Sequence, residues 1–275
     1  MTPGATAAPA DVVAGLLAAA LPQLLALALG AARLFGVLSI LPVFTRLGVT
    51  GIIRGAVALA LALPLVPALL PRIEASPPGA ASLTLLLAKE ALVGVLVGVV
   101  LSVPFWAAET AGELIDQQRG SEAATIPDPV ATAEAGITGT LFALTLIAIF
   151  FASGAMRLLL EGVYASWGVW PPLDPLPRFS AEAGPHAVAL LDRVLRLGLV
   201  LAAPVLTALL LAELALALIG RFAPQLNVFD LAMAVKGVVF VLLLPAYAVF
   251  LAGYLRDLLP PLAETEAVLR AFAPP

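Results

Sequence analysis

The sequence has no cysteine and a single histidine among 275 residues. The first absence excludes disulfides, thiolate nucleophiles and cysteine-held metal ions. The second leaves any zinc site or Ser-His-Asp triad resting on His186 alone, with no second histidine at ligand spacing. Ser102, Ser153 and His186 form no recognisable nucleophile and base arrangement, so the expectation is a protein that is not an enzyme and carries no metal or other cofactor. Charge is also scarce. Asp, Glu, Lys and Arg make up 12% of the chain and the net charge is −4, too small to select a partner. Lysines and arginines stand singly, without the clustered basic face that nucleic acid requires, and no nucleic-acid partner is expected.

What fills the sequence is apolar surface. The composition is 62% apolar and the mean hydropathy is +1.09, beyond what a soluble domain with a polar shell carries. Membrane lipid is an expected partner. Residues 1–20 lack the basic segment of a cleaved secretory signal and carry Asp11, so they are read as part of the mature chain. Six apolar stretches approach the length that crosses about 30 Å of hydrocarbon. They run over Leu21–Phe44, Gly55–Leu70, Leu83–Ala108, Gly136–Ala155, Leu197–Ile219 and Leu231–Leu255, the second being short. No period-2 alternation persists as a barrel strand needs, and helices satisfy the backbone in lipid. The expected fold is an all-α membrane protein of about six hydrophobic helices, kinked by Pro64, Pro67, Pro104, Pro204 and Pro245. Residues 1–258 form its membrane domain and 259–275 a short polar tail with a solvated Glu264-Thr-Glu266.

Polar connections are expected at Glu109–Glu134, Arg157–Arg196 and Arg221–Asp230. The second holds Trp167-Gly-Val-Trp170-Pro-Pro172, whose aromatics suit a membrane interface. The positive-inside rule does not orient the chain. With both termini outside, Arg46, Arg54, Arg119, Arg221 and Lys236 fall inside, but seven arginines fall outside. Either the spans are miscounted, or some apolar helices pack on partner subunits instead of crossing lipid as simple hairpins.

Arg33, the adjacent Lys89 and Glu90, Glu213 and Lys236 lie within apolar stretches, where an unpaired charge costs at least about 2.5 kcal/mol. They are expected to face protein or water. Lys89 and Glu90, as immediate neighbours, point apart on a helix and each needs a partner elsewhere, while Glu213 with Lys236 is one plausible pair. Structural pairing is favoured over a proton relay because buried charges are usually paired. Gly94 and Gly98 form a GxxxG that permits close helix packing, within the chain or with another subunit.

The tract from Ala111 to Pro129 is too polar to span and too apolar for a free linker. Between Glu109 and Glu134 lie Glu113, Asp116, Glu122 and Asp128 against the single base Arg119. Gly112 and Gly120 permit bends or close approach, and Pro127 and Pro129 stop a helix. A re-entrant or pore-lining loop and an ordinary amphipathic surface loop both fit.

The order of these blocks resembles the SctT/FliR family of type III export-apparatus subunits. The resemblance is carried by Lys89-Glu90 opening a glycine-bearing helix, by Ala111-Gly112-Glu113-Leu114-Ile115-Asp116 with Gln118 and Gly120, and by Asp128-Pro129. Further on come Pro204, Glu213 and Arg221-Phe-Ala-Pro224-Gln225-Leu226-Asn227-Val228-Phe229. It implies an export gate shared with SctR/FliP-like, SctS/FliQ-like and SctU/FlhB-like subunits, passing unfolded secreted proteins at the bacterial inner membrane. It further implies a pore plug or gating loop including Gly112, Glu113, Asp116, Gln118, Gly120, Ser121, Pro127, Asp128 and Pro129, more acidic here than is usual. Lys89, Glu90, Glu213, Arg221, Pro224, Gln225, Asn227, Phe229 and Lys236 would be structural or interface residues, with Arg221 and Gln225 satisfying buried groups in a turn between helices. Leu231-Ala-Met233-Ala-Val-Lys236 is closer to the injectisome branch than to the flagellar one, although Asp230 and Ala234 depart from its motif. A small-molecule transporter, the competing class, ought to show inverted repeats, and none is convincing.

Overall fold

The computed structural model describes residues 9–120, 136–223 and 228–274. Ten α-helices cover most of these, and among the described residues there is no strand. In order they are α1 (Pro9–Ile40), α2 (Pro42–Thr45), α3 (Gly51–Ala62), α4 (Val66–Ala75), α5 (Ala80–Arg119), α6 (Ile137–Ala152), α7 (Met156–Val169), α8 (Ala183–Phe222), α9 (Val228–Asp257) and α10 (Thr265–Phe272). By length and composition five stretches are apolar and long enough to cross a membrane, and the bent pair α6 and α7 is a sixth candidate. The expected all-α membrane class is what the chain adopts.

Two helices are much longer than their apolar runs predict. α5 and α8 have 40 residues each, about 60 Å at 1.5 Å per residue and twice the hydrocarbon thickness. The expected connection Arg157–Arg196 is therefore largely helical: α7 occupies its start, and α8 begins at Ala183 instead of Leu197. α6 and α7 meet at 87°. The corner is a glycine-terminated helix end, with Gly154 at φ 72°, Ala155 N–H donating to the Phe150 carbonyl at 3.1 Å and Gly154 N–H to Phe151 at 3.2 Å. That pair of bonds closes a helix whose next residue must be left-handed, which glycine adopts without a Cβ clash.

The described residues divide into two compact units. One holds the residues up to Ile40, Val49–Gly98 and Trp170–Arg178; the other holds Leu41–Gly48, Val99–Val169 and Phe179 onward. The first unit has a core of Ala26, Leu29, Leu69, Ile73 and Leu86, with Leu173 packed on it. Here the GxxxG acts within the chain. A Cβ at Gly94 would lie 2.0 Å from the Arg33 carbonyl oxygen, so α1 and α5 touch backbone to backbone. Trp170, expected at a membrane interface, is instead buried in this unit.

The second unit is centred on the latter half of α5, with Phe105 edge-on to Phe150 of α6. The Tyr247 hydroxyl of α9 donates to the Leu201 carbonyl of α8 at 2.8 Å. Residues 259–274 are not a free tail. Thr265, Leu269 and Phe272 form one buried stripe of α10, since positions four and three apart share a helix face. Gly162 of α7 accepts Thr265 closely, its Cβ position being 2.9 Å from that side chain. Glu264 and Glu266 are exposed as expected, because they occupy the opposite face.

Candidate functional site

The described part of the acidic tract is helix and not loop. α5 continues unbroken through Gly112, Glu113, Asp116 and Gln118 to Arg119, and only then turns at Gly120. Its acidic residues are needed elsewhere: they cap another helix. The first N–H groups of α6 have no partner inside that helix, and its N-cap, Gly136, has no side chain to offer. α5 supplies the acceptors. Glu113 Oε1 receives the Gly136 N–H at 2.8 Å, and Asp116 Oδ2 receives the Thr138 N–H at 2.8 Å. The Thr138 hydroxyl donates to Asp116 Oδ1 at 2.6 Å. Glu113 and Asp116 are three residues apart and so share a helix face, and their negative charge lies at the positive end of the α6 dipole.

This arrangement demands close approach. A Cβ at Gly112 would lie 2.4 Å from both the Cα and the N of Gly139, and one at Gly136 would lie 2.4 Å from Asp116 Oδ2. Small residues on both helices bring the carboxylates within reach of the α6 backbone. Arg119 completes the junction. Its guanidinium pairs with Asp116, lies 3.3 Å from the Thr138 hydroxyl and sits over the Phe240 ring of α9 at 4.4 Å.

The C-terminal end of α5 is held by the pair expected from sequence. The Lys236 ammonium of α9 donates to the Gln118 carbonyl at 2.7 Å and lies 3.5 Å from Glu213 of α8. The Gln118 amide donates to Glu213 at 3.0 Å. A cation on one of the last, otherwise unpaired carbonyls suits the negative end of the helix. Gly120 then leaves the helix at φ 75°. Replacing Lys236 with methionine is expected to destabilise the protein by about 1–2 kcal/mol, the typical cost of stranding such a carbonyl, read as an earlier thermal unfolding in detergent. An unchanged transition would show that the Gln118 carbonyl is satisfied without Lys236.

The chain thus leaves α5 at Gly120 and enters α6 from Gly136, with both ends fastened by Glu113, Asp116 and Arg119. Ser121, Pro127, Asp128 and Pro129 lie outside the described residues, as do Pro224, Gln225 and Asn227. The backbone of Phe229 belongs to α9, but its side chain is also outside them. Arg221 is exposed on the last turn of α8. Thr138, Gly136, Gly139 and Phe240 were not singled out from sequence. Gly-Ile-Thr-Gly immediately before an apolar run is a helix-start signal, but nothing local shows that its cap comes from α5.

Arg33, Lys89 and Glu90 form a second, buried cluster in the first unit. Arg33 grips Glu90 with Nε at 2.7 Å and Nη2 at 2.9 Å, and Arg33 Nη2 also donates to the Trp170 carbonyl at 2.7 Å. Lys89 does reach its neighbour Glu90, at 2.6 Å, because its long stem folds back despite the diverging Cα–Cβ directions. Its ammonium also donates to the Pro171 and Pro172 carbonyls, both at 2.9 Å. Among the described residues no group of three His, Asp or Glu side chains is placed to hold a metal ion.

Residues 24–260 match the family described as bacterial export proteins, family 1. The chain belongs to this family. It is 41% identical to Yop proteins translocation protein T of Yersinia pestis over 211 residues, 76% of this chain and 80% of that protein. It is 30% identical to surface presentation of antigens protein SpaR of Salmonella typhimurium over 220 residues, 80% and 81% of the two chains. Flagellar biosynthetic protein FliR of Bacillus subtilis is 33% identical over 168 residues, 60% of this chain and 64% of its own. The matched span of this export-protein chain contains both charged clusters and reaches the start of the docked C-terminal segment.

Proposed function

We propose that the protein is the membrane subunit of an injectisome type III export gate and helps form a gated channel for unfolded secretion substrates. The observation that carries this reading is 41% identity to a translocation protein over three quarters of the chain. The long apolar helices support it. α8 and the stretch beginning at Leu231 are apolar yet mostly uncovered in the single chain, with 28% and 22% of their most apolar windows buried. Surfaces of that kind are covered by lipid or by neighbouring subunits. SctR/FliP-like, SctS/FliQ-like and SctU/FlhB-like proteins are the proposed neighbours, the bacterial inner membrane is the proposed location, and the role is conducting without catalysis. Residues 259–274 are proposed to belong with the rest of the gate subunit and not to a separate tail.

In this reading Glu113, Asp116, Gln118 and Gly120, with Gly112 allowing the close approach, anchor the two ends of the gating segment. Lys236 and Glu213 set the end of α5 from which that segment departs. A flagellar role is the second reading, supported by the shorter match to FliR. The test is co-expression with the SctR-like and SctS-like proteins of the same genome. A joint complex, together with restored effector secretion in a strain lacking its translocation protein T, is expected. Purification as a lone monomer that transports on its own overturns the export-gate reading. Restored motility of a strain lacking FliR, without restored secretion, transfers the protein to the flagellar branch.

A further inference from the structure

The Arg33, Lys89 and Glu90 cluster has an unusual charge balance. Two cations face one buried carboxylate, while Asp174 on the exposed side of the neighbouring turn adds a weaker attraction for Lys89. Arg33 and Glu90 are fully buried and Lys89 is 5% exposed. The bidentate Arg33–Glu90 pair is balanced by itself. Lys89 also reaches Glu90, at 2.6 Å, but one buried carboxylate cannot balance two cations, and the surplus charge cannot stay buried without further acceptors. The acceptors come from one short stretch of chain, in which Trp170, Pro171 and Pro172 present three consecutive carbonyls to the two cations. Both prolines lack an N–H, so this stretch offers acceptors and no competing donor there. The same segment is folded as a turn, with the Asp174 N–H on the Pro171 carbonyl at 3.3 Å and the Trp170 indole N–H on the Arg178 carbonyl at 3.1 Å. Leu173 is its apolar foot on the core of the first unit. The chain on either side, up to Val169 and from Phe179, belongs to the second unit.

We infer that Lys89 is a positioning residue that latches a strap, Trp170–Arg178, into the first unit through the Pro171 and Pro172 carbonyls. The dependence is mutual. The strap's carbonyls, aided by the Asp174 charge, take the place of water around the Lys89 ammonium, and Lys89 holds the strap in the first unit. Arg33 and Glu90 form the self-sufficient floor on which this latch closes.

Because the chain has no cysteine, single introduced thiols report on single sites. Leu173→Cys in the full-length protein, in native membranes, is expected to react slowly with a maleimide, and Leu176→Cys, at a site 76% exposed, rapidly. Adding Lys89→Met leaves the balanced Arg33–Glu90 pair, so the protein is expected to accumulate while Leu173→Cys reacts about tenfold faster through local opening of the strap. Lys89→Arg, which keeps the charge and the donors, is expected to restore slow labelling. Ala202→Cys, at a fully buried site of the second unit, should stay protected throughout. Glu90→Gln leaves two buried cations with no buried anion, and loss of the protein from the membrane is expected. The inference is overturned if Leu173→Cys remains as protected with Lys89→Met as without it, or if it labels as fast as Leu176→Cys from the outset. It is equally overturned if Glu90→Gln accumulates normally, or if Lys89→Met itself fails to accumulate, because the Arg33–Glu90 pair would then not be self-sufficient.

Discussion

Gly112→Ala is expected to remove most of the protein from the membrane and to abolish secretion, although it adds one methyl group to a helix that alanine otherwise favours. The added Cβ would stand 2.4 Å from the Cα and N of Gly139 and 2.5 Å from the Thr138 carbonyl carbon. All three are backbone atoms of the α6 start, so no rotamer change relieves the clash. α6 would have to retreat, and its retreat would pull the Gly136 and Thr138 amides away from Glu113 and Asp116. Overpacking typically costs about 1–3 kcal/mol, and each stranded amide adds roughly 1–3 kcal/mol, together comparable to a protein's whole margin of stability. Gly237→Ala is the control, since a Cβ there meets nothing within 4 Å and should be neutral or slightly stabilising. Immunoblots of membrane fractions compare the two. Equal accumulation and secretion would mean that the α5–α6 contact is looser than described.

Asp116→Ala is the second large loss. Asp116 is 4% exposed and accepts from the Thr138 N–H and hydroxyl while pairing with Arg119. Its removal strands a helix-start amide and takes from the mostly buried Arg119 guanidinium the carboxylate it pairs with. Breaking a buried pair on one side costs about 3–5 kcal/mol. Asp116→Asn is expected to be nearly as damaging, because one of its two oxygens becomes a donor facing donors. Thr138→Val, which removes only the hydroxyl, should cost about 1 kcal/mol. Thermal unfolding of the detergent-purified variants checks the ranking. If Asp116→Asn behaves like the unsubstituted protein, the carboxylate charge is not what holds the junction. Secretion should follow the same order, since the proposed gating segment departs from and returns to this junction.

The legible part of the site was its vocabulary. The polarity of the tract is legible in its carboxylates and glycines; Glu113, Asp116, Gln118 and Gly120 as gating-loop residues rest on the family resemblance; and the Glu213–Lys236 pair follows from the rule that charges set in apolar stretches find opposite partners. Their geometry was hidden. The tract reads as a loop because polarity and glycine are local signals, whereas α5 stays helical since its acidic face is satisfied by the α6 backbone, 22 and 23 residues further along.

Composition and the lack of period-2 alternation together determined that this chain is helical and apolar enough for a membrane, because lipid leaves the backbone only helices or closed barrels and the signal is summed over long runs of residues. Sequence also located the charges that need partners. Tertiary structure decided who those partners are: Arg33 meets Trp170 across 137 positions, α10 docks a segment that reads as a polar tail, and α5 and α8 extend beyond their apolar cores. Hydropathy records what each residue avoids. Which chemical group replaces water is set by contacts distant in sequence, and only the folded chain brings those together.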